Sequence, residues 1–166
     1  MTSQQSHNCN NIPPILHTNT RKEVQSFNKD EKIWRRFPLI SQFGKSNIQN
    51  RNGKERPSIS LFSFKNGGMS CNRELFSQSP QDVLYNTDSP EHFFDWGILE
   101  FVYGDISKLN TADITFAIVH KPTPCMYPHI EILCNKYSEE ANEIIPDELK
   151  IQVRQKLQSI SEIIKK

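Results

Sequence analysis

Ser70 and Cys71 follow a Gly67-Gly68 pair and stand three and two residues ahead of Arg73. A hydroxyl or thiol presented on a glycine turn is placed to act as a nucleophile, and a neighbouring guanidinium favours the thiolate over the thiol. His92, His120 or His129 would supply the base. No local motif of the G-x-S-x-G kind ties nucleophile to base. The same residues also read as a turn and a following cap, with Ser70 leading Asn72-Arg73-Glu74. A catalytic reading therefore requires a pocket in which Arg56, Ser70 and His129 converge.

His120, Cys125, His129 and Cys134 form the spacing H-x4-C-x3-H-x4-C, with ligand types that suit zinc. The geometry argues against it. If residues 129–134 form a strand, His129 and Cys134 point to opposite faces, and Cys134 shares its face with Ile130 and Ile132. No C-x-x-C pair is present, and no metal or cofactor is expected. The Gly44-Lys45-Ser46 triplet echoes the end of a phosphate-binding loop, but Leu39 stands where that motif needs glycine.

A third pattern combines Arg35 or Arg36 on an early strand, Ser58-x-Ser60 on a middle one, and Glu100 or Glu131 on a later one. This order is similar to ADP-ribosyltransferase domains, in which Arg, Ser-x-Ser and Glu hold a dinucleotide. The resemblance implies a small enzyme centred on residues 56–74. The plainer reading is two serines on the solvent face of a half-buried strand.

Charge is unevenly placed although the net charge is only +1. Between residues 32 and 73, Lys32, Arg35, Arg36, Lys45, Arg51, Lys54, Arg56, Lys65 and Arg73 face Glu55 alone. Residues 88–148 hold twelve acids against Lys108, Lys121 and Lys136. Such asymmetry marks a docking surface or is neutralised inside the fold. The docking reading assigns contact to Arg35, Arg36, Lys45, Arg51, Lys54 and Arg56. "WRRF" (34–37) interleaves aromatics with arginine, as a nucleic-acid binder would over residues 34–56. However, the pI near 7.7 lies below that of strongly basic binding domains, and no nucleic-acid-binding signature is visible.

These residues need a frame. The 166 residues are 36% apolar, enough for one domain with a core. Residues 1–30, rich in Asn, Gln, Ser and Thr, read as a flexible polar tail, leaving one domain at 31–166. "KIWRRFPL" (32–39) suits an edge strand ending at Pro38. Residues 41–55 are polar and read as a loop. "RPSISLFSF" (56–64) alternates and predicts a strand, with a turn at 65–68. Ser79, Pro80 and Asp82 open a short helix at 79–86. Residues 96–105 predict a strand, 105–110 a helical turn, 113–120 a central strand and 129–134 a further one. At 146–166, Pro146 and two acids precede a stripe of Leu149, Val153, Leu157, Ile160 and Ile164, the signature of an amphipathic C-terminal helix. The expected class is α+β: four or five strands, mixed or antiparallel, with short helices and the terminal helix on one face.

Mean hydropathy is −0.62, and no apolar run approaches the roughly 20 residues of a bilayer span. The N-terminus has no basic start followed by an apolar run, so no secretory signal is expected. Cys9, Cys71, Cys125 and Cys134 are expected to be reduced thiols in a cytoplasmic protein.

At "RPSISLF", "GGMSCNR" and "YPHIEI" the chain resembles a diffuse group of short uncharacterised bacterial proteins, through Arg56, Pro57, Ser58, Met69, Ser70, Gly104, Asp105, Ile106 and His129. That resemblance implies no activity. The function expected from the sequence is that of a non-enzymatic accessory or regulatory protein that binds another macromolecule, a protein in the first instance, with the small enzyme and the nucleic-acid binder as alternatives.

Overall fold

The computed structural model of the chain describes residues 9–17, 26–64, 68–135 and 146–166. Its frame is an antiparallel sheet of six strands. They are β1 (Lys32–Phe37), β4 (Met69–Arg73), β5 (Gly97–Val102), β6 (Phe116–His120), β7 (His129–Cys134) and β8 (Glu162–Lys165), side by side in the order β6-β7-β4-β1-β5-β8. A separate hairpin pairs β2 (Ile48–Arg51) with β3 (Lys54–Pro57). The helices are α1 (Tyr103–Ser107) and α2 (Asp147–Ile160). The class is α+β, with more strands than the four or five expected, and every pairing between strands is antiparallel.

Period-two alternation in the strands builds the core. Ile33 and Phe37 of β1, Leu99 and Phe101 of β5, and Ile130, Ile132 and Cys134 of β7 all point to one face. There Val153 and Leu157 of α2 bury completely against them, together with Phe62 and Phe64. Burying a large aliphatic or aromatic side chain contributes about 1.5–3 kcal/mol, so this layer dominates the stability. The opposite face carries Trp34, Arg36, Ser70, Asn72, His129 and Glu131, as the strand registers require.

Several expectations need correction. β1 is not an edge strand. It lies between β4 and β5, and Pro38 falls just past the end of its ladder, where no N–H is needed. The strand expected at 56–64 breaks after Pro57 into a 3-10 turn over Ile59–Leu61, and Phe62 and Phe64 still reach the core. The loop expected at 41–55 contains most of the β2–β3 hairpin. Asn52 and Gly53 take φ of 53° and 77°, the left-handed pair that a two-residue hairpin turn requires. The apolar run at 113–120 becomes the edge strand β6, with Val119 partly exposed. The residues expected as a helix at 79–86 form a 3-10 turn at Pro80–Leu84, where the Asp82 carboxylate accepts from the Gln78 and Ser79 amides.

The C-terminal helix is shorter than 146–166. Ser161 turns extended, its hydroxyl donates to the Gln158 carbonyl, and β8 then pairs with β5. Burial alternates along β8, with Glu162 and Ile164 exposed and Ile163 and Lys165 half-buried, as suits an edge strand.

The N-terminal segment also departs from the tail reading. Within residues 9–17, Ile12 and Leu16 are 2% and 0% exposed, packed with Cys125 and Met126. Cys9 is joined to Cys125 by a disulfide with a Cα–Cα distance of 5.4 Å, so the four cysteines are not all reduced thiols. Residues 1–8, 18–25 and most of the 65–68 turn lie outside the described residues. Among the described residues no helix is long and apolar enough to cross a membrane.

Candidate functional site

The site begins with a split in the sheet. β1 pairs with β5 along all six residues, but with β4 only at Ile33↔Arg73 and Trp34↔Asn72. Past that point β4 stays with β7 and β1 stays with β5, so the two strands part. Arg35 bridges the opening. Its Nη1 donates to the Ser70 carbonyl at 3.0 Å and its Nη2 to the Leu61 carbonyl at 3.4 Å. Its Nε is buried without a hydrogen-bond partner among the described residues.

Above the split lies a cleft of about 730 Å³, within the roughly 300–1,000 Å³ range of small-molecule sites. Arg36, Ser70, Asn72, His129 and Glu131 form its floor, and Arg35, which by register points to the Ile33–Phe37 face of β1, borders it at the split. One wall is Val83, Tyr85, Thr87 and Asp88, and the other is Thr123, Pro124 and Met126. Arg36 donates through Nη1 to the Val83 carbonyl at 3.0 Å and the Tyr85 carbonyl at 3.1 Å, and its guanidinium stacks 4.1 Å from the Phe93 ring. Burial, and then the like charge of Arg35, lower the Arg36 pKa to about 10, with Asp88 pulling the other way. Arg36 therefore stays charged at neutral pH. Neither arginine has an ion pair among the described residues.

His129 is fixed in one tautomer. Its Nδ1 lies 2.6 Å from the Lys121 carbonyl, which can only accept, so Nδ1 carries the proton and Nε2 the lone pair. Burial holds its pKa below the usual histidine value, against the opposing pull of the Lys121 carbonyl and Glu131. Glu131 is neutralised by Lys121 Nζ at 3.1 and 3.2 Å. Asn72, buried, donates to the Met126 sulfur at 3.3 Å and ties the floor to one wall.

Of the pocket expected from the sequence, Ser70 and His129 come together on diagonal positions of β4 and β7, while Arg56 does not. It is exposed on the β2–β3 hairpin opposite Gln49, and Arg35 takes the place assigned to it. Ser70 and His129 are not joined by a hydrogen bond among the described residues. Cys71 is buried on the α2 face, and burial pushes its thiol up to about 11 despite nearby Arg35. Arg73, cast as its activator, is 0% exposed. It donates to both carboxylate oxygens of Glu31 at 2.8 Å and lies 4.0 Å from the Phe27 ring, so it holds the fold together.

The other patterns separate as well. Ser58 and Ser60 hydrogen-bond each other on the 3-10 turn, outside the cleft, so the arginine, serine and glutamate of the ADP-ribosyl order do not meet. Glu100 accepts from the Trp34 indole at 2.9 Å. Trp34 is thereby buried, and neither it nor Arg36 is open to stacking on a base. In the four-residue H-C-H-C pattern, His129 lines the cleft, Cys134 faces the core, Cys125 is in the disulfide and His120 packs against Phe76 and Tyr127. Lys45, Arg51 and Lys54 are exposed on and beside the hairpin.

Sequence reasoning missed Asn72, Tyr85 and the 123–126 wall. Asn72 was within reach, because Ser70 and Asn72 share a face by period two, opposite Met69 and Cys71. No family model, curated protein or solved structure matches this chain.

Proposed function

We propose that the protein works by binding, and that its cleft holds a phosphate or carboxylate group against Arg35 and Arg36. One observation carries this reading: two half-buried guanidiniums border the cleft, anchored mainly on main-chain carbonyls, and neither has an ion pair among the described residues. Partly desolvated like charges near one another are unfavourable, as the lowering of the Arg36 pKa by Arg35 reflects, and an arriving anion offsets that cost. The Asn72 side-chain amide, with a second N–H beyond the one given to Met126, offers the ligand a further donor. Titration with inorganic pyrophosphate and with citrate, followed by calorimetry, tests this. Saturable binding that weakens with salt supports the reading; no heat with either anion counts against it.

A second reading has its own observation. Phe43 is 80% exposed beside Lys45, and Arg51, Lys54 and Arg56 have no ion pair among the described residues. The single acid on the hairpin, Glu55, is taken by Lys166 at 2.7 Å. An exposed aromatic ring among uncompensated cations suits an acidic partner protein. This would make the chain an accessory or regulatory protein. A pull-down from host lysate with wild type and a charge-reversed hairpin tests it.

A further inference from the structure

We propose that the Cys9–Cys125 disulfide is a redox latch on the cleft. Intact, it straps residues 9–17 across both cleft walls; reduced by a dithiol, it releases the strap and loosens the 123–126 wall. The inference rests on the cleft being a ligand site.

Four observations support the latch. First, Thr123-Pro124-Cys125-Met126 is a tight turn closed by the Met126 amide on the Thr123 carbonyl at 3.0 Å. Proline stands second, and Cys125 stands third with φ of 68°. Glycine is the ordinary residue there, and a side chain disfavours that backbone region. The covalent bond to Cys9 holds Cys125 in that conformation.

Second, the strap touches both walls. Ile12 and Leu16 form one apolar cluster with Cys125 and Met126 of one wall, and Tyr85 of the other wall packs against that cluster. The Tyr127 amide donates to the Leu16 carbonyl at 2.7 Å.

Third, Met126 is also the partner of Asn72 on the cleft floor, so movement of the turn is felt at the site. Fourth, among the described residues the strap's apolar anchorage is small. Two fully buried apolar side chains are few against the entropy of ordering nine residues.

The chemistry balances as ordinary thiol–disulfide exchange. Cys9 is the more accessible of the two. The thiolate of a reducing dithiol attacks the Cys9 sulfur, forms a mixed disulfide and expels the Cys125 thiolate, which takes up a proton. The second thiol of the reductant then displaces Cys9. The protein gains two electrons and two protons, and the reductant leaves as its own disulfide.

The test uses the full chain, air-oxidised and then treated with dithiothreitol, with peptide mapping without reductant, amide hydrogen exchange and pyrophosphate titration. A linked Cys9–Cys125 peptide is expected in the oxidised form. Reduction is expected to speed exchange at Met126 and Tyr127 by about tenfold or more, while amides of the β1–β5 ladder stay protected. Cys9→Ser should reproduce the reduced state without reductant. Cys125→Gly, which tolerates the left-handed backbone, should free the strap yet keep the Met126 amide protected. Unlinked cysteines in the oxidised chain, or unchanged exchange at Met126 and Tyr127 on reduction, overturn the latch. If pyrophosphate binds neither form, the anion reading of the cleft fails, and the exchange data still decide the latch.

Discussion

Arg35 donates to the carbonyl of Ser70 at 3.0 Å across the gap where β1 and β4 part. A side chain thus stands in for a stretch of missing ladder, and the opening it spans is the cleft floor. The contact uses the main chain of Ser70 and leaves its hydroxyl out of the bridge. Arg35→Met should therefore destabilise the fold by about 1–2 kcal/mol, the loss of two charge-assisted hydrogen bonds to exposed and half-buried carbonyls. Ser70→Ala should stay within about 0.5 kcal/mol of wild type. Urea denaturation of both variants checks this, and equal losses would mean that the hydroxyl is part of the bridge.

The buried Arg73–Glu31 pair is the second electrostatic anchor. Glu31 also accepts the Leu75 amide, and the Arg73 guanidinium lies 4.0 Å from the Phe27 ring and 5.0 Å from the Phe76 ring. Glu31→Gln leaves a buried cation without its counter-charge, and about 3–5 kcal/mol should be lost. Arg73→Met combined with Glu31→Met should lose less than the sum of the single changes. Thermal unfolding of the three variants is the measurement, and strict additivity would contradict direct coupling.

Stability should depend on pH through two histidines. His120 and His129 both titrate below the ordinary value of 6.5, in each case chiefly because burial opposes the charged form. Unfolding returns them to that value, so below it the unfolded chain binds more protons than the folded one. Stability is then complete above about pH 6.5 and falls as pH drops below it. Melting at pH 7.5 and 5.5 should show the decrease, and His129→Gln should flatten it. A melting temperature that is flat or rising towards pH 5.5 would contradict the burial of these rings.

Reversing Lys45, Arg51 and Lys54 to glutamate should leave the melting temperature nearly unchanged, because surface changes usually stay within about 0.5 kcal/mol. Capture of an acidic partner should be lost, and most visibly at low salt. An unchanged set of captured proteins would remove the hairpin as a docking surface.

How much of this was legible in the sequence follows from the range of the interactions. β5 and β7 were readable because alternation and β-branched residues act locally, and so was the start of α2 at Pro146 with its first-turn acids. The β2–β3 hairpin was also readable, through Asn52-Gly53, but the polarity of 41–55 masked the turn signal. The end of α2 was not, because the apolar stripe runs on through Ile164, and only pairing with β5 draws Glu162–Lys165 into the sheet. The site was legible in part. Ser70 and His129 were picked out by residue type, and Arg35 by its place in a basic run. That Arg35 rather than Arg56 meets Ser70 depends on which strands part, and strand order is a long-range property. Cys9 and Cys125 lie 116 residues apart, and spacing alone cannot pair them.

The most direct measurement is a pyrophosphate titration of wild type beside Arg36→Lys, in low and moderate salt, with folding of both checked by melting. Lysine keeps the positive charge but loses the planar fork that grips the Val83 and Tyr85 carbonyls. Wild type should bind with a Kd of about 1 mM or tighter, and more weakly as salt rises. Arg36→Lys should bind about tenfold or more weakly while remaining folded. No saturable binding by folded wild type, or equal affinity in the two proteins, would contradict an anion site built on Arg35 and Arg36.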